Sequence, residues 1–286
     1  MLRKIMKWTG RVLLLLLLLV IGYYTKAYIS VENRRQKVYT IKPLHLDIPT
    51  DSANIALGKR LVTVKGCDDC HGKDLGGRTI FEKEGMGRLV ARNLTKGEGG
   101  LRPGFGTEDW IRAIRHGVQP DGKPLIYMPA GDYNQLSETD LKAIIAYCSQ
   151  VPPVNRKHPD SEIGPGATIA TDLGALSLFE AESIDHTLPP PPAQEEKVTA
   201  EFGKYVALVC THCHQPNMKG KPEEDGTPDI SSTGKSAKWT DEQFFRTLRT
   251  GKRPDGTALK APMPWQMTSA FSDTEMRALR MYLRSI

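Results

Sequence analysis

Cys67-Asp68-Asp69-Cys70-His71 and Cys210-Thr211-His212-Cys213-His214 are the residues best placed to do chemistry in this chain. In each box two thiols stand three positions apart and a histidine follows the second. Thiols at this spacing add to the two vinyl groups of a haem, and the adjoining histidine becomes the proximal iron ligand. The box occurs twice in a chain with five cysteines, and four of the five lie in the boxes. A zinc ribbon would bring its Cys-x-x-Cys pairs closer together. Here the first cysteines lie 143 positions apart. A thioredoxin-type Cys-x-x-Cys needs a strand–helix–strand setting and no following histidine. Two covalently bound haem c groups are therefore expected, one at Cys67 and Cys70 with His71 on its iron, one at Cys210 and Cys213 with His214.

The charge balance is carried by the N-terminus. Of the formal net charge of +6, residues 1–30 supply five basic residues and no acid, which leaves +1 for the rest. That gives no argument for nucleic-acid binding. Residues 12–22 form an apolar run, with Trp8, Tyr23 and Tyr24 placed for the two membrane interfaces. No A-x-A cleavage site follows; Thr25-Lys26-Ala27 is a poor substitute. The expectation is an uncleaved signal anchor at 1–29 that crosses the cytoplasmic membrane through residues 8–24, followed by a tether at 30–49.

The remainder is a duplication. Trp110 to Gly122 matches Phe244 to Gly256 at an offset of 134, and Leu136 to Leu141 matches Phe271 to Met276 at 135. Gly58-Lys59 precedes the first box as Gly203-Lys204 precedes the second. Two copies follow, at 50–154 and 199–286. Between them, residues 155–198 hold Gly164, Pro165, Gly166, Gly174 and the run Pro189 to Pro192, a composition of extended, semi-rigid spacers.

Each copy reads as helices and loops. Leu141, Ile144, Ile145, Cys148 and Val151 share one face of a closing helix, and so do Met276, Leu279, Leu283 and Ile286. Ser137 with Asp140, and Ser272 with Glu275, are capping-box starts. Gly58 and Gly203 in the opening helices allow close approach of the closing helices, with Tyr147 and Tyr282 covering the notch. The segment from Gly72 to Gly106 reads as a long glycine-rich loop.

This pattern resembles tandem class I cytochrome c domains, over about 190 residues. The resemblance implies an all-α fold: two tandem class I domains after an N-terminal transmembrane or signal-anchor helix. It implies a sixth ligand after a long loop, which falls on Met128 in Met128-Pro129-Ala130 and on Met263 in Met263-Pro264-Trp265. These lie 57 and 49 residues after their histidines, at equivalent places in the repeat. Met86 and Met267 are the competing methionines. The chain is also similar to membrane-anchored dihaem cytochromes c and to cytochrome subunits of periplasmic alcohol-type dehydrogenases, which commonly carry three boxes where this chain has two. The implied function is single-electron transfer between a membrane or periplasmic donor and an acceptor, with a dehydrogenase, an oxidase or a small cytochrome as partners. No catalytic residue is implied. Haem attachment outside the bacterial cytoplasmic membrane puts the bulk in the periplasm. The alternative is a dihaem peroxidase, which needs one open iron site; the paired methionines argue against it.

The remaining candidates have plainer readings. His116 is Thr250 in the second copy and reads as a surface or propionate-edge residue. His212 fills a tolerant position inside its box. His45, His158 and His186 have no partner visible in the sequence. Arg112, Arg115, Arg246 and Arg249 either hold propionates or line an exposed helix face. Trp110 and Phe244 read as packing residues. Cys148, whose counterpart is Leu283, reads as a small core hydrophobe and not an iron ligand.

Overall fold

A computed structural model describes residues 2–42, 44–221 and 226–286. The leucine run lies in a stretch with no proline before Pro43, so one helix propagates through it. This helix, α1 (Leu2–Gln36), is long and apolar enough to cross a membrane. It continues past the apolar run, so the stretch read as a tether begins inside it.

The first domain contains α2 (Ser52–Val64), α3 (Cys67–His71), β1 (Arg78–Lys83), β2 (Gly87–Ala91), α4 (Thr107–His116), α5 (Ala130–Tyr133) and α6 (Glu138–Cys148). The connecting stretch adds β3 (Glu162–Ile163) and α7 (Pro165–Asp172). The second domain contains α8 (Ala200–Val206), α9 (Thr211–His214), α10 (Asp241–Thr250), α11 (Trp265–Ser269) and α12 (Asp273–Ser285).

The opening and closing helices cross at glycine in both domains. A Cβ on Gly58 would lie 1.9 Å from the Ala143 carbonyl oxygen and 2.8 Å from Tyr147 Cβ. On Gly203 it would lie 2.0 Å from the Ala278 oxygen and 2.8 Å from Tyr282 Cβ. Only glycine permits this approach, and the tyrosine closes the notch as expected. Ser137 and Ser272 cap α6 and α12, accepting from the amides of Asp140 and Glu275. Leu141, Ile144, Ile145 and Cys148 are buried on one face of α6, and Met276, Leu279 and Leu283 on one face of α12.

The fold is helix-rich but not all-α. Part of the stretch read as a loop forms a hairpin: β1 and β2 pair antiparallel, with Arg78 opposite Ala91 and Lys83 opposite Gly87. β3 adds to β2 with Arg88 opposite Glu162, giving the order β1-β2-β3. The Thr79-Ile80-Phe81 run favours a strand, and its turn is made at Gly85, held at φ 75°.

The connecting stretch is not a free spacer. Besides β3, it binds the first domain through Arg156 on Asp74 at 2.9 Å and the Asn93 side-chain amide on the Arg156 carbonyl at 3.2 Å. It also grips α1. Val31 packs with Leu178 and Phe179. Lys26 lies 2.7 Å from Asp172, and Arg34 lies 2.6 Å from Glu182. The two domains touch as well: Val64, from the end of α2, is buried in the core cluster of the second domain.

Three histidines read as unpartnered have partners. His45 stands 3.4 Å from Glu108, and His158 Nε2 lies 2.9 Å from the Gly76 carbonyl. His186 meets His116, which is buried rather than on the surface. A carbonyl oxygen only accepts, so His186 Nε2 donates to Ala181 at 3.0 Å. His116 Nδ1 then donates to His186 Nδ1 at 3.0 Å, and both rings are neutral. The Tyr39 ring packs edge-on against His186. Burial, His186 and Arg115 push the His116 pKa down to about 4. Burial also lowers His186, against the pull of the Ala181 carbonyl and Asp185. Both unfolded rings titrate near the ordinary value of 6.5. The unfolded chain therefore binds more protons between about 6.5 and about 4. The pair's contribution is complete above the unfolded pKa and is lost as pH falls through the folded one. Thermal unfolding measured against pH should give a midpoint that falls across this window. His116→Thr should flatten that fall; an unchanged slope in the variant would contradict the pairing.

Candidate functional site

Each box starts where a helix is broken. α2 ends at Val64, and Gly66 at φ 74° turns the chain into the short helix α3 that carries the first box. In the second domain a 3-10 turn, Ala207–Cys210, leads from α8 into α9. Both routes bring two cysteines and a histidine onto one helical turn.

The two box histidines are held alike. His71 Nδ1 lies 2.8 Å from the Arg92 carbonyl oxygen, and His214 Nδ1 lies 2.9 Å from the Pro228 oxygen. Because the carbonyls only accept, Nδ1 carries the proton in both rings. Nε2 is then the nitrogen available to a metal in the neutral imidazole.

A duplicated frame supports those carbonyls. Gly77 N–H donates to His71 O at 2.8 Å, and Gly220 N–H to His214 O at 2.9 Å. Leu75 and Met218 occupy matching left-handed positions, at φ 54° and 59°. Such a conformation costs an L-residue roughly 1–2 kcal/mol. It persists here because both side chains are fully buried in their domains. Their carbonyls accept from Leu94 and Ile230, at 2.8 and 2.9 Å, which fixes the segments the histidines bond to.

The methionine segments are duplicated too. α4 and α10 end in left-handed Gly117 and Gly251. Leu125 N–H donates to Gly117 O at 2.6 Å, and Leu259 N–H to Gly251 O at 2.7 Å. A Cβ on Gly117 would stand 3.0 Å from Ala130, and one on Gly251 2.7 Å from the Trp265 ring. These glycines serve both the turn and the close approach of the Met-Pro-x segment. Arg115 Nη1 donates to Asn134 O at 3.1 Å and Arg249 Nη1 to Ser269 O at 2.8 Å, fastening the helix after each methionine. Arg115 also donates to Leu188 O of the connecting stretch at 3.1 Å. These two arginines hold backbone carbonyls, while Arg112 pairs with Glu108 and Asp109 and Arg246 is exposed.

The residues present fit a haem. In the first domain Cys67, Leu94, Leu101, Phe105 and Met128 pack on the buried core yet stay partly exposed, an apolar surface beside the ligand set. Val209, Cys210, Ile230, Trp239 and Leu248 do the same in the second. Met263 is half-buried and lies in the segment matching Met128. The competing methionines lie elsewhere: Met86 on Gly166, and Met267 on Gly66 at the domain boundary. Trp110 and Phe244 are buried packing residues. Cys148 is buried in the first core, and burial pushes its thiol pKa well up. A neutral thiol among Leu141, Ile144 and Ile145 is a core hydrophobe.

Near the boxes, no motif or repeat marks Lys65, Tyr127 or Asp132. Lys65 is buried with Nζ 4.5 Å from the Tyr205 ring centre, and burial lowers its pKa. Asp132 accepts from Thr211 of the second box at 2.8 Å, and Tyr127 meets His212. Partners 79 and 85 positions apart share no pattern that a single chain displays.

Known proteins match this layout. Residues 200–286 match the family model for cytochrome c, and residues 53–148 match that for cytochrome C oxidase, cbb3-type, subunit III. The fructose dehydrogenase cytochrome subunit of Gluconobacter japonicus is 26% identical, over 82% of this chain and 52% of its own length. The gluconate 2-dehydrogenase cytochrome c subunit of Pantoea cypripedii is 28% identical, over 82% and 61%. The cytochrome c subunit of the quinone-type alcohol dehydrogenase of Gluconacetobacter polyoxogenes is 23% identical, over 82% and 56%. The chain spans about half the length of the relatives it matches. Two boxes, two matching frames and two family matches give this chain two cytochrome c domains with two covalently bound haem c groups, and it is similar to the cytochrome c subunits of dehydrogenases.

Proposed function

We propose that this chain carries single electrons at two closed histidine/methionine centres. His71 and Met128 hold the first iron, His214 and Met263 the second, with thioether links from Cys67, Cys70, Cys210 and Cys213. The observation that carries this reading is the repetition, in both domains, of the hydrogen bonds that fix the histidine and the methionine segment. A bound haem c supplies a one-electron iron couple. The protein's residues supply the ligation. The Nδ1–carbonyl bonds orient the imidazoles, and the thioethers of Met128 and Met263 favour the ferrous state and raise the potential. An iron held by both a histidine and a methionine would leave no site for a substrate.

The haem-binding units are residues 50–154 and 199–286, with 155–198 attached to the first. Residues 1–29 act as an uncleaved anchor in the cytoplasmic membrane, and the bulk faces the periplasm. Supporting retention, Ala27 of the weak Thr25-Lys26-Ala27 site is fully buried, and Lys26 and Tyr23 both bond Asp172. The names of the relatives support a dehydrogenase as electron donor. An oxidase or small cytochrome would take the electrons onward.

Met263→Ala tests the assignment. It should leave two haems attached, open the second iron to carbon monoxide, and lower that centre's potential by roughly a hundred millivolts, within the ~0.8 V that axial ligation spans. Potentiometry and carbon monoxide difference spectra check this. An unchanged spectrum and potential would overturn it.

A further inference from the structure

The two domains meet through equivalent residues. Aligned on Gly58 and Gly203, Arg60 matches Tyr205. Aligned on Ser137 and Ser272, Asp140 matches Glu275. Arg60 Nη1 donates to Glu275 Oε2 at 2.6 Å, and the Tyr205 hydroxyl donates to Asp140 Oδ2 at 2.6 Å. The opening helix of each copy thus reaches the acid at the third position of the other copy's closing helix. Reciprocal contacts of this kind describe a pseudo-two-fold axis, as in an isologous dimer. Asp132 and Met267 are a further matched pair. Asp132 holds Thr211 inside the second box, and Met267 lies on Gly66 just before the first.

One contact breaks the symmetry. Tyr127 immediately precedes Met128, and its hydroxyl lies 3.5 Å from His212 Nε2, between the cysteines of the second box. The rings stand edge-on with centroids 6.0 Å apart. The equivalent positions are Pro262 and Asp69, which have no aromatic rings to pair. Tyr127 is held at φ 55°, while its N–H donates to Leu178 O of the connecting stretch at 2.7 Å. A bulky residue kept in a left-handed conformation by its surroundings is the kind of outlier that marks functional positions.

We propose that Tyr127 and His212 form the junction through which the two haem centres exchange electrons. The Arg60–Glu275 and Tyr205–Asp140 pairs hold the domains in the register that makes it. This rests on the ligand reading above, because Tyr127 adjoins the sixth ligand of one centre and His212 lies in the attachment loop of the other. One electron crosses, one centre is reduced as the other is oxidised, and neither side chain changes oxidation state. Packed rings offer better electronic coupling than a solvent gap.

The test uses the full, haem-loaded chain in detergent. In the reduced, low-spin protein, nuclear Overhauser contacts between the Tyr127 and His212 rings should be present. Tyr127→Ala and His212→Ala should keep two haems, both potentials and both methionine charge-transfer bands. Electron equilibration between the haems after single-electron injection should slow about tenfold or more, the scale on which misplacement degrades a positioned reaction. Tyr127→Phe, which keeps the ring, should retain most of the rate. Should Tyr127→Ala fail to load haem, His212→Ala decides, because its position between the cysteines is tolerant. No ring contact in the parent, or an undiminished rate with both centres intact, would overturn the junction. A parent lacking the two methionine bands would instead contradict the ligand reading, before any variant is made.

Discussion

The Nδ1–H of each box histidine is committed to a backbone carbonyl, Arg92 in one domain and Pro228 in the other. The rest of each domain serves that bond. The carbonyl is useful only if its segment is fixed, and Leu75 and Met218 fix it by accepting from Leu94 and Ile230. Those two residues hold unfavourable backbone angles because their side chains are locked in the core. The core exists because the opening and closing helices meet at Gly58 and Gly203 closer than any side chain would allow. A histidine so restrained presents one nitrogen, and restraint of the ligands is what lets an iron change oxidation state with little rearrangement.

The same logic extends from one domain to the whole chain. The connecting stretch lends a strand to the hairpin, takes Arg34 and Lys26 from the N-terminal helix, and accepts from Arg115 at the Leu188 carbonyl. The second domain is clamped to the first by reciprocal pairs around a pseudo-two-fold axis. The C-terminal part of α1, the connector and both domains therefore form one packed body rather than beads on a flexible string.

Features governed by local chemistry were legible in the sequence. The boxes, the capping serines, the glycine–tyrosine notches and the apolar faces of α6 and α12 each depend on residues within one short motif or one helix period. Features governed by distant partners were not. All six residues of β1 are exposed, so no burial alternation marks it, and β3, which pairs with β2 on the other side of the sheet, comes from beyond the domain. His116 and His186 are 70 positions apart, and nothing in either neighbourhood announces the other. Arg115 and Arg249 recurred visibly, but recurrence alone could not say that their targets were the backbone carbonyls of Asn134 and Ser269. Tyr127 was hidden for a different reason: it departs from the repeat that made its neighbour Met128 visible.

The electron-carrier reading rests on the proposed closure of both irons by a histidine and a methionine. The most direct measurement is the ferric spectrum of the haem-loaded protein, followed by reduction and addition of carbon monoxide. Two closed centres should give a long-wavelength methionine–iron charge-transfer band of two-haem intensity and no carbon monoxide adduct. A high-spin ferric fraction, or a centre that binds carbon monoxide, would contradict it.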